Sequence, residues 1–380
     1  MRSILTFLLS LATAICVAEP RARDLGVPFE GEPGPLNAIT DVAGVEIGHT
    51  TLIQDLTDGH RVRTGVTAIL PRGRADIRTP AFGGWFSLNG NGEMTGTTWI
   101  EESGQLDGPV LLTNTHSVGV VRDAVIAWRI RQGEPDASGY WWSLPVVAET
   151  WDGHLNDVNG FHVKPTHVDA ALDTAKGGPV AEGNVGGGTG MICHEFKCGI
   201  GTSSRRVTIE GRTHTIGVLV QANYGLRETL RIAGVPIGQH LREHRAYQDQ
   251  PRETGSIIIV VATDAPLLSH QLKRLARRAS LGLGRMGSYA GDGSGDIFVA
   301  FSTANAAALS GAPYGSAEFL ENGHMDPLFQ ATVQATEEAI VNALIAARDM
   351  EGEGGRYAKA IPHADLVRLL KQYGRYANPD

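Results

Sequence analysis

A glycine followed by a serine stands where a charged stretch gives way to a run of branched apolar residues. Residues 242–254 are mostly polar or charged, whereas residues 257–262 are continuously apolar. The apolar run is typical of a buried strand, and the stretch before it is typical of an exposed loop. If the bond between Gly255 and Ser256 were broken, Ser256 would carry both a hydroxyl and a free amine. Such an amine has a pKa of ~8, so it can accept a proton near neutral pH.

Six stretches along the chain carry a resemblance to a known family. They are GPLNAITDVAGVEIGH (34–49), LTNTHSVG (112–119), GNVGGGTGM (183–191), QANYG (221–225), TGSIIIVVATDAP (254–266) and GDGSGD (291–296). With these motifs in this order, the sequence resembles the L-aminopeptidase/D-amidase-esterase family, which includes the bacterial β-peptidyl aminopeptidases. The resemblance implies a single globule with a layered α-β-β-α fold of the N-terminal-nucleophile hydrolase type.

The same resemblance implies how the protein is processed and what it acts on. The chain would cut itself between Gly255 and Ser256, giving an N-terminal chain of residues 19–255 and a C-terminal chain of residues 256–380. It would then be an aminopeptidase that releases N-terminal residues from short peptides, amides or esters through an acyl-enzyme on Ser256. Its substrates would need a free N-terminal amine, and the cleaved protomers would form a tetramer. No cofactor and no metal are implied.

The family motifs also assign roles to the other candidate site residues. By resemblance, Asn223 donates a hydrogen bond to the oxyanion, and Ser294 and Asp296 form hydrogen bonds around the nucleophile. Glu149 recognises the ammonium group of the substrate, and Trp151 lines the pocket. The sequence departs from the family at two of these positions, because relatives commonly have Glu at 296 and some have Tyr at 151.

Taken without the resemblance, each motif has a simpler interpretation. A Gly-Ser pair begins many strands for ordinary turn reasons, and Asn223 is typical of a turn. Residues 291–296 could be a plain glycine-rich turn, since their spacing does not match an EF-hand calcium loop. Residues 183–190 lack the lysine of a phosphate-binding loop and have Met191 in its place. They therefore predict a tight turn beside the active site.

The charge of the chain argues against a nucleic-acid-binding protein. The chain has 380 residues and a net charge of −8, and it has no basic stripe of the kind that neutralises nucleic-acid phosphates.

Cys193 and Cys198 lie close together beside His194 and Glu195. They could form a disulfide, remain as two buried thiols, or bind zinc, although a zinc site would lack a second half-site. We therefore expect no metal site.

The first residues have the pattern of a secretory signal peptide. Arg2 gives a positive start, residues 4–17 form an apolar core, and residues 16–18 form a small-residue cleavage site before a polar segment. The apolar core is too short to span a bilayer. We therefore expect residues 1–18 to be removed and the mature protein to be periplasmic or secreted. No other stretch is long and apolar enough to cross a membrane.

Short apolar runs alternate with amphipathic segments, which indicates an α+β protein. The predicted strands are 66–70, 109–112, 215–220, 257–262 and 297–301. Helices are predicted from Val118 to before Gly133, around Leu268–Leu275 with Asp264 as cap and Pro266 in the first turn, around 333–347, and over 363–373. Residues 241–254 are the candidate linker. The strand after Ser256 is too apolar to be exposed, so it should lie in a sheet that is covered on both faces.

Two other functions remain open at this point. An acyltransferase of the ornithine acetyltransferase type would share the fold and the self-cleavage but would use Thr as its nucleophile, where this chain has Ser256. A non-catalytic exported peptide-binding protein would show no self-cleavage at all.

Overall fold

The computed structural model describes residues 20–133, 142–247 and 255–378. The predicted signal peptide and residues 248–254 of the predicted linker lie outside the described residues.

The described residues form strands in two main sheets and helices on the outer faces of those sheets. The strands are β1 (Glu46–Asp55), β2 (Arg61–Leu70), β3 (Ala81–Ser87), β4 (Gln105–Leu106), β5 (Val110–Asn114), β6 (Val146–Thr150), β7 (Ile192–Cys193), β8 (Phe196–Lys197), β9 (Ile200–Ile209), β10 (Arg212–Asn223), β11 (Ser256–Thr263), β12 (Gly295–Ser302), β13 (Met350–Glu351) and β14 (Tyr357–Ala358). The helices are α1 (Thr97–Ser103), α2 (Val118–Gln132), α3 (Pro165–Asp173), α4 (Ile237–His240), α5 (Ser269–Arg285), α6 (Asp326–Ile345) and α7 (His363–Gln372).

The two main sheets face each other across an apolar core. One sheet has the order β1-β2-β5-β6, and the other has the order β4-β3-β12-β11-β10-β9. Helices α2 and α3 pack on the outer face of the first sheet, and α5 and α6 pack on the outer face of the second. The layers are therefore α-β-β-α, which confirms the α+β class and the layered sandwich that the family resemblance implies.

Strand β11 is covered on both faces, as its composition predicts. Ile257, Ile259 and Val261 belong to the core beneath α5 and α6, whereas Ile258 and Val260 belong to the core between the two sheets. This alternation follows from the two-residue period of a strand. Every residue of the strand is buried, so Ser256 begins the strand at the edge of the apolar interior.

Most of the other predicted elements are found close to their expected positions. Helix α2 ends at Gln132, directly before Gly133, and α7 begins at His363. The predicted strands at 66–70, 215–220 and 297–301 lie inside β2, β10 and β12. The sequence pattern therefore located these elements and missed mainly their ends.

Helix α5 begins later than the sequence predicts. Its first residue is Ser269, and its N-cap is Leu268, so the expected cap Asp264 and first-turn residue Pro266 both precede the helix. Asp264 Oδ1 instead accepts a hydrogen bond from the Thr215 N–H at 2.7 Å. That carboxylate therefore ties the end of β11 to the neighbouring β10 rather than capping the helix.

Cys193 and Cys198 form a disulfide, which decides between the three alternatives left open by the sequence. The bond closes a small hairpin made of β7 and β8. Within the described residues, no group of three or more His, Cys, Asp or Glu side chains could hold a metal ion. In the same part of the chain, every helix is too short or too polar to be a candidate membrane span.

The central position of β11 makes its apolar side chains sensitive to truncation. Ile259 is fully buried, so we expect Ile259→Ala to lower the free energy of unfolding by about 2–5 kcal/mol. Ile53 on β1 is 52% exposed, and Ile53→Ala is the matched control, with an expected change of less than about 0.5 kcal/mol. Denaturant unfolding followed by tryptophan fluorescence measures both changes. Equal losses in the two variants would contradict the placement of β11.

Candidate active site

Three strand ends bring the candidate nucleophile together with its neighbours. Asn223, the last residue of β10, lies opposite Ser256 in an antiparallel pair. Gly295, the first residue of β12, lies beside Ser256 in a parallel pair. Residues far apart in sequence therefore meet at one edge of the six-stranded sheet because the start of β11 is inserted between the ends of the other two strands.

One backbone N–H lies between the serine hydroxyl and the carbonyl that precedes it. The Gly295 N–H donates to Ser256 Oγ at 3.3 Å and to the Gly255 carbonyl oxygen, also at 3.3 Å. A Cβ built on Gly255 would lie 2.1 Å from the Asn223 carbonyl oxygen. Only glycine therefore fits before Ser256 without moving β10, and the close approach of two backbones is the physical reason.

The Asn223 side chain has a fixed orientation. Its Oδ1 accepts a hydrogen bond from the Ile192 N–H at 2.8 Å, so its Nδ2 group is the part that can donate elsewhere. Ile192 immediately precedes the disulfide-bonded Cys193, and the His194 N–H donates to the Tyr224 carbonyl oxygen at 2.6 Å. The buried disulfide hairpin thus supports the end of β10.

Gln221 links the same end of β10 to the facing sheet. Its Nε2 group donates to the Thr113 carbonyl oxygen at 2.8 Å and to Thr150 Oγ1 at 2.9 Å, so it joins β10 to the ends of β5 and β6 in the facing sheet. A Cβ on Gly187 would lie 2.1 Å from Gln221 Oε1. The turn at residues 183–190 therefore packs against the active-site end of β10.

Ser294 and Asp296 are buried polar residues whose side chains contact each other. The Ser294 hydroxyl donates to Asp296 Oδ1 at 2.7 Å, and both residues are fully buried. Asp296 lies level with Ile257 in the parallel pair of β11 and β12. The structure therefore places this pair next to the start of β11, one residue beyond Gly295.

Asn89 is a contact of Asp296 that the sequence analysis missed. Its Oδ1 accepts from the Asp296 N–H at 2.6 Å, and its Nδ2 donates to Asp296 Oδ2 at 3.3 Å and to the Gly291 carbonyl oxygen at 3.1 Å. The only sequence signal is the run Asn-Gly-Asn-Gly at 89–92, which by itself is typical of a turn. The pairing of β3 with β12 brings the loop to Asp296, and that pairing is not evident from the sequence.

Glu149 is a buried carboxylate at the end of β6. Its Oε1 accepts from the Glu93 N–H at 3.0 Å, and the Thr115 hydroxyl donates to Oε2. Burial raises the pKa of the Glu149 carboxyl, although these two hydrogen bonds act in the opposite direction. The sequence analysis missed Thr115 because its contact depends on how the strands pair.

Glu149 lies close to the start of β12, and Gly92 lies between them. A Cβ on Gly92 would lie 3.3 Å from Glu149 Oε1 and 3.1 Å from Gly295 Cα. Gly295 in turn bonds to Ser256. The buried carboxylate and the serine are therefore on the same side of the molecule, separated by the narrow backbone of Gly92.

Trp151 lies apart from these groups in the described contacts. It follows β6, its side chain is 37% exposed, and its ring packs over Gly153, where a Cβ would lie 2.7 Å from the ring. Among the described contacts, none joins Trp151 to Ser256 or to Glu149. Its predicted place in the substrate pocket stays a prediction.

An α-β-β-α sandwich in which a serine begins a central strand has the architecture of the N-terminal-nucleophile hydrolases. Peptidase family S58 matches residues 37–358, so the chain belongs to that family and is a serine aminopeptidase. This confirms the resemblance seen in the sequence, and it favours peptide hydrolysis over the acyltransferase and ligand-binding alternatives.

Relatives of this family match almost the whole chain. The β-peptidyl aminopeptidase BapA of Sphingosinicella microcystinivorans is 54% identical over 384 residues, which cover 97% of this chain and 96% of that protein. BapA of Sphingosinicella xenopeptidilytica is 50% identical over 382 residues, with 96% and 94% covered.

Solved structures show the same fold. The L-aminopeptidase D-Ala-esterase/amidase of Ochrobactrum anthropi, a prototype for serine aminopeptidases and a variant of the Ntn hydrolase fold, superimposes with a TM-score of 0.90 at 50% identity. The match covers 94% of this chain and 100% of the Ochrobactrum anthropi chain. A β-aminopeptidase from Burkholderia sp. has a TM-score of 0.85 at 50% identity, with 93% and 99% covered.

The position of Asn223 should depend on the disulfide. Replacing both Cys193 and Cys198 by Ser frees the hairpin whose Ile192 N–H orients the amide. We expect kcat to fall about tenfold in this double variant. In Asn223→Ala, which removes the proposed oxyanion donor, we expect kcat to fall about 10²–10³-fold. Kinetics on an aminoacyl p-nitroanilide measure both changes.

The control is a variant that carries Cys193→Ser, Cys198→Ser and Asn223→Ala together. The cysteine changes should add nothing once the amide is gone, because both act through the same group. An unchanged kcat in the double-serine variant would contradict the proposed support.

Proposed function

We propose that this chain is an exported, self-processing aminopeptidase whose nucleophile is Ser256. The observation that carries the proposal is the position of the Gly295 N–H, 3.3 Å from both Ser256 Oγ and the Gly255 carbonyl oxygen. This position supports self-cleavage, because the N–H lies beside both the attacking hydroxyl and the carbonyl that is attacked.

Self-cleavage follows from this arrangement in two steps. Ser256 Oγ attacks the Gly255 carbonyl carbon, its proton passes to the departing nitrogen, and the peptide bond becomes an ester. Water then hydrolyses the ester, which restores the hydroxyl and leaves a carboxylate on Gly255. The Gly295 N–H is placed to stabilise the negative charge that develops on the Gly255 oxygen. The products are the proposed chains 19–255 and 256–380.

Turnover uses the same hydroxyl with the amine that cleavage releases. The Ser256 amine accepts the proton of Oγ while Oγ attacks the substrate carbonyl. Asn223 Nδ2 donates to the oxyanion, and this role is supported by the fixing of Oδ1 on Ile192. The proton then passes to the leaving amine, and water hydrolyses the acyl-enzyme. Asp296, bonded to Ser294, stabilises the protonated form of the amine.

Glu149 is proposed to select substrates with a free ammonium group. A carboxylate that is 3% exposed gains strongly from a positive partner, because water screens the pair only weakly. Its two donors, the Glu93 N–H and the Thr115 hydroxyl, hold the oxygens in place. An acylated amine has no charge and would leave this carboxylate unpaired, so blocked substrates are rejected.

We propose short peptides and amides as substrates, with N-terminal β-amino acids among them. The support is 54% and 50% identity to two β-peptidyl aminopeptidases over nearly the whole chain. A β-residue has one more carbon between ammonium and carbonyl than an α-residue. The span from Glu149 to Ser256 is therefore the dimension that decides between them.

Export and assembly are further parts of the proposal. The charge and apolar pattern of residues 1–18 supports removal of a signal peptide and a periplasmic or secreted location. The disulfide between Cys193 and Cys198 is what an oxidising compartment permits. A tetramer of cleaved protomers is proposed from the family resemblance alone.

Ser256→Ala should remain a single uncut chain and should hydrolyse no substrate. Mass analysis under denaturing conditions should find residues 19–255 and 256–380 in the wild type and only 19–380 in the variant, which also tests the proposed signal cleavage. Ser310→Ala is the matched control, because Ser310 is exposed and distant from β11 in sequence. An active Ser256→Ala, or an active wild type that stays whole, would overturn the mechanism.

The pH dependence of KM should report on Glu149. Burial raises the pKa of its carboxyl, and only the ionised form binds an ammonium. KM should therefore rise as the pH falls through the raised pKa, at a higher pH than for an ordinary glutamate. Glu149→Gln should raise KM about 30-fold or more and abolish that rise.

Two controls accompany the Glu149 measurement. Glu102→Gln, at an exposed glutamate on α1, should leave KM unchanged at every pH. An N-acetylated p-nitroanilide should not be hydrolysed by the wild type. Hydrolysis of that blocked substrate, or a Glu149→Gln variant with normal KM, would show that the ammonium is recognised elsewhere.

A further inference from the structure

The loop that follows β3 connects the two carboxylates of the site. At its start, the Leu88 N–H donates to the Asp296 carbonyl oxygen at 2.9 Å. At its other end, the Glu93 N–H donates to Glu149 Oε1. Asn89 lies near the start, and its side chain is the part of the loop that contacts the Asp296 carboxylate.

Asn89 uses both ends of its amide on one residue. Its Oδ1 accepts from the Asp296 backbone N–H at 2.6 Å, and its Nδ2 donates to the Asp296 carboxylate at 3.3 Å. The bond to the backbone fixes where the amide stands relative to β12, and the bond to Oδ2 fixes how the carboxylate is turned. With Ser294 on Oδ1, each carboxylate oxygen has a donor from this chain.

The aspartate makes such control valuable. Asp296 is fully buried, and a single methylene joins its carboxylate to the backbone. A short carboxylate has little reach of its own, so the direction in which its oxygens point depends on the donors around it. Misplacement of a catalytic group by about 1 Å can cost about 10²-fold in rate.

We propose that Asn89 is a positioning residue that orients the Asp296 carboxylate toward the proton acceptor of Ser256. The inference rests on the proposed roles of Ser256 and Asp296. Its rival is a structural role in which Asn89 only fixes the loop. The two differ in their effect on substrate binding, because a loosened loop would also displace the Glu93 N–H from Glu149 and raise KM.

The test compares Asn89→Asp and Asn89→Ala with Asn91→Asp. Asn91 is exposed and belongs to the same loop, and its side chain donates to the Gly293 carbonyl oxygen, so it controls for added charge. Asn89→Asp keeps an acceptor for the Asp296 N–H but places a second carboxylate against Oδ2. Like charges at that distance raise the pKa of the pair.

We expect the acid limb of the kcat–pH profile to move up by about one unit or more in Asn89→Asp. In Asn89→Ala, we expect kcat to fall about 10–100-fold with a smaller shift. KM should stay within about threefold of wild type in both, since the Glu93 end of the loop is untouched. Both Asn89 variants should still cut themselves as Asn91→Asp does, because the Ser256 amine that Asp296 is proposed to stabilise forms only after cleavage. A variant that stays uncut would therefore point to a structural role of Asn89.

Three further results would overturn the inference. One is an Asn89→Asp profile identical to that of Asn91→Asp. Another is a rise in KM that parallels the fall in kcat. The last is a Tm of both Asn89 variants far below that of Asn91→Asp, which would make Asn89 a structural anchor.

Asp296→Asn and Ser256→Ala, measured in the same series, separate this inference from the proposed function. If either remains fully active, the proposed mechanism itself fails. If both are inactive while Asn89→Asp behaves like Asn91→Asp, only the role of Asn89 is wrong.

Discussion

The insertion of β11 between an antiparallel and a parallel neighbour is the constraint on which the site depends. Its pairing with β10 places Asn223 beside Ser256, and its pairing with β12 places the Gly295 N–H there. Because the strand is buried on both faces, its register cannot slip by one residue without exposing one apolar face. The apolar run that identifies the strand in the sequence therefore also fixes the geometry of the proposed nucleophile.

Around that fixed strand, the polar groups are supported from other parts of the chain. The disulfide hairpin orients Asn223 through Ile192, and the loop after β3 contacts Asp296 and Glu149. A buried carboxylate is costly unless donors and a positive partner compensate it. Glu149 has the donors, and its raised pKa shows that they compensate burial only in part. A substrate ammonium would supply the missing charge.

The sequence located most of the elements but not their contacts. The apolar run after Ser256 and the helix before Gly133 follow from local patterns, and the family resemblance supplied Asn223, Ser294, Asp296 and Glu149 as candidates. The supporting residues Asn89 and Thr115 were missed because strands distant in sequence bring them to the site. Asp264 was misplaced for the same reason, since its partner on β10 competes with the role of a helix cap. A local sequence pattern does not indicate which distant strands will pair.

The central place of β11 has a consequence for the persistence of a cut enzyme. Two separate polypeptides would then share one sheet, joined by backbone hydrogen bonds and apolar contacts along β10, β11 and β12. Once separated by heat or dilution, they would have to find each other again in solution, and reassembly would depend on protein concentration. The lifetime of the active enzyme would thus be set by how slowly it opens rather than by an equilibrium between folded and unfolded chains.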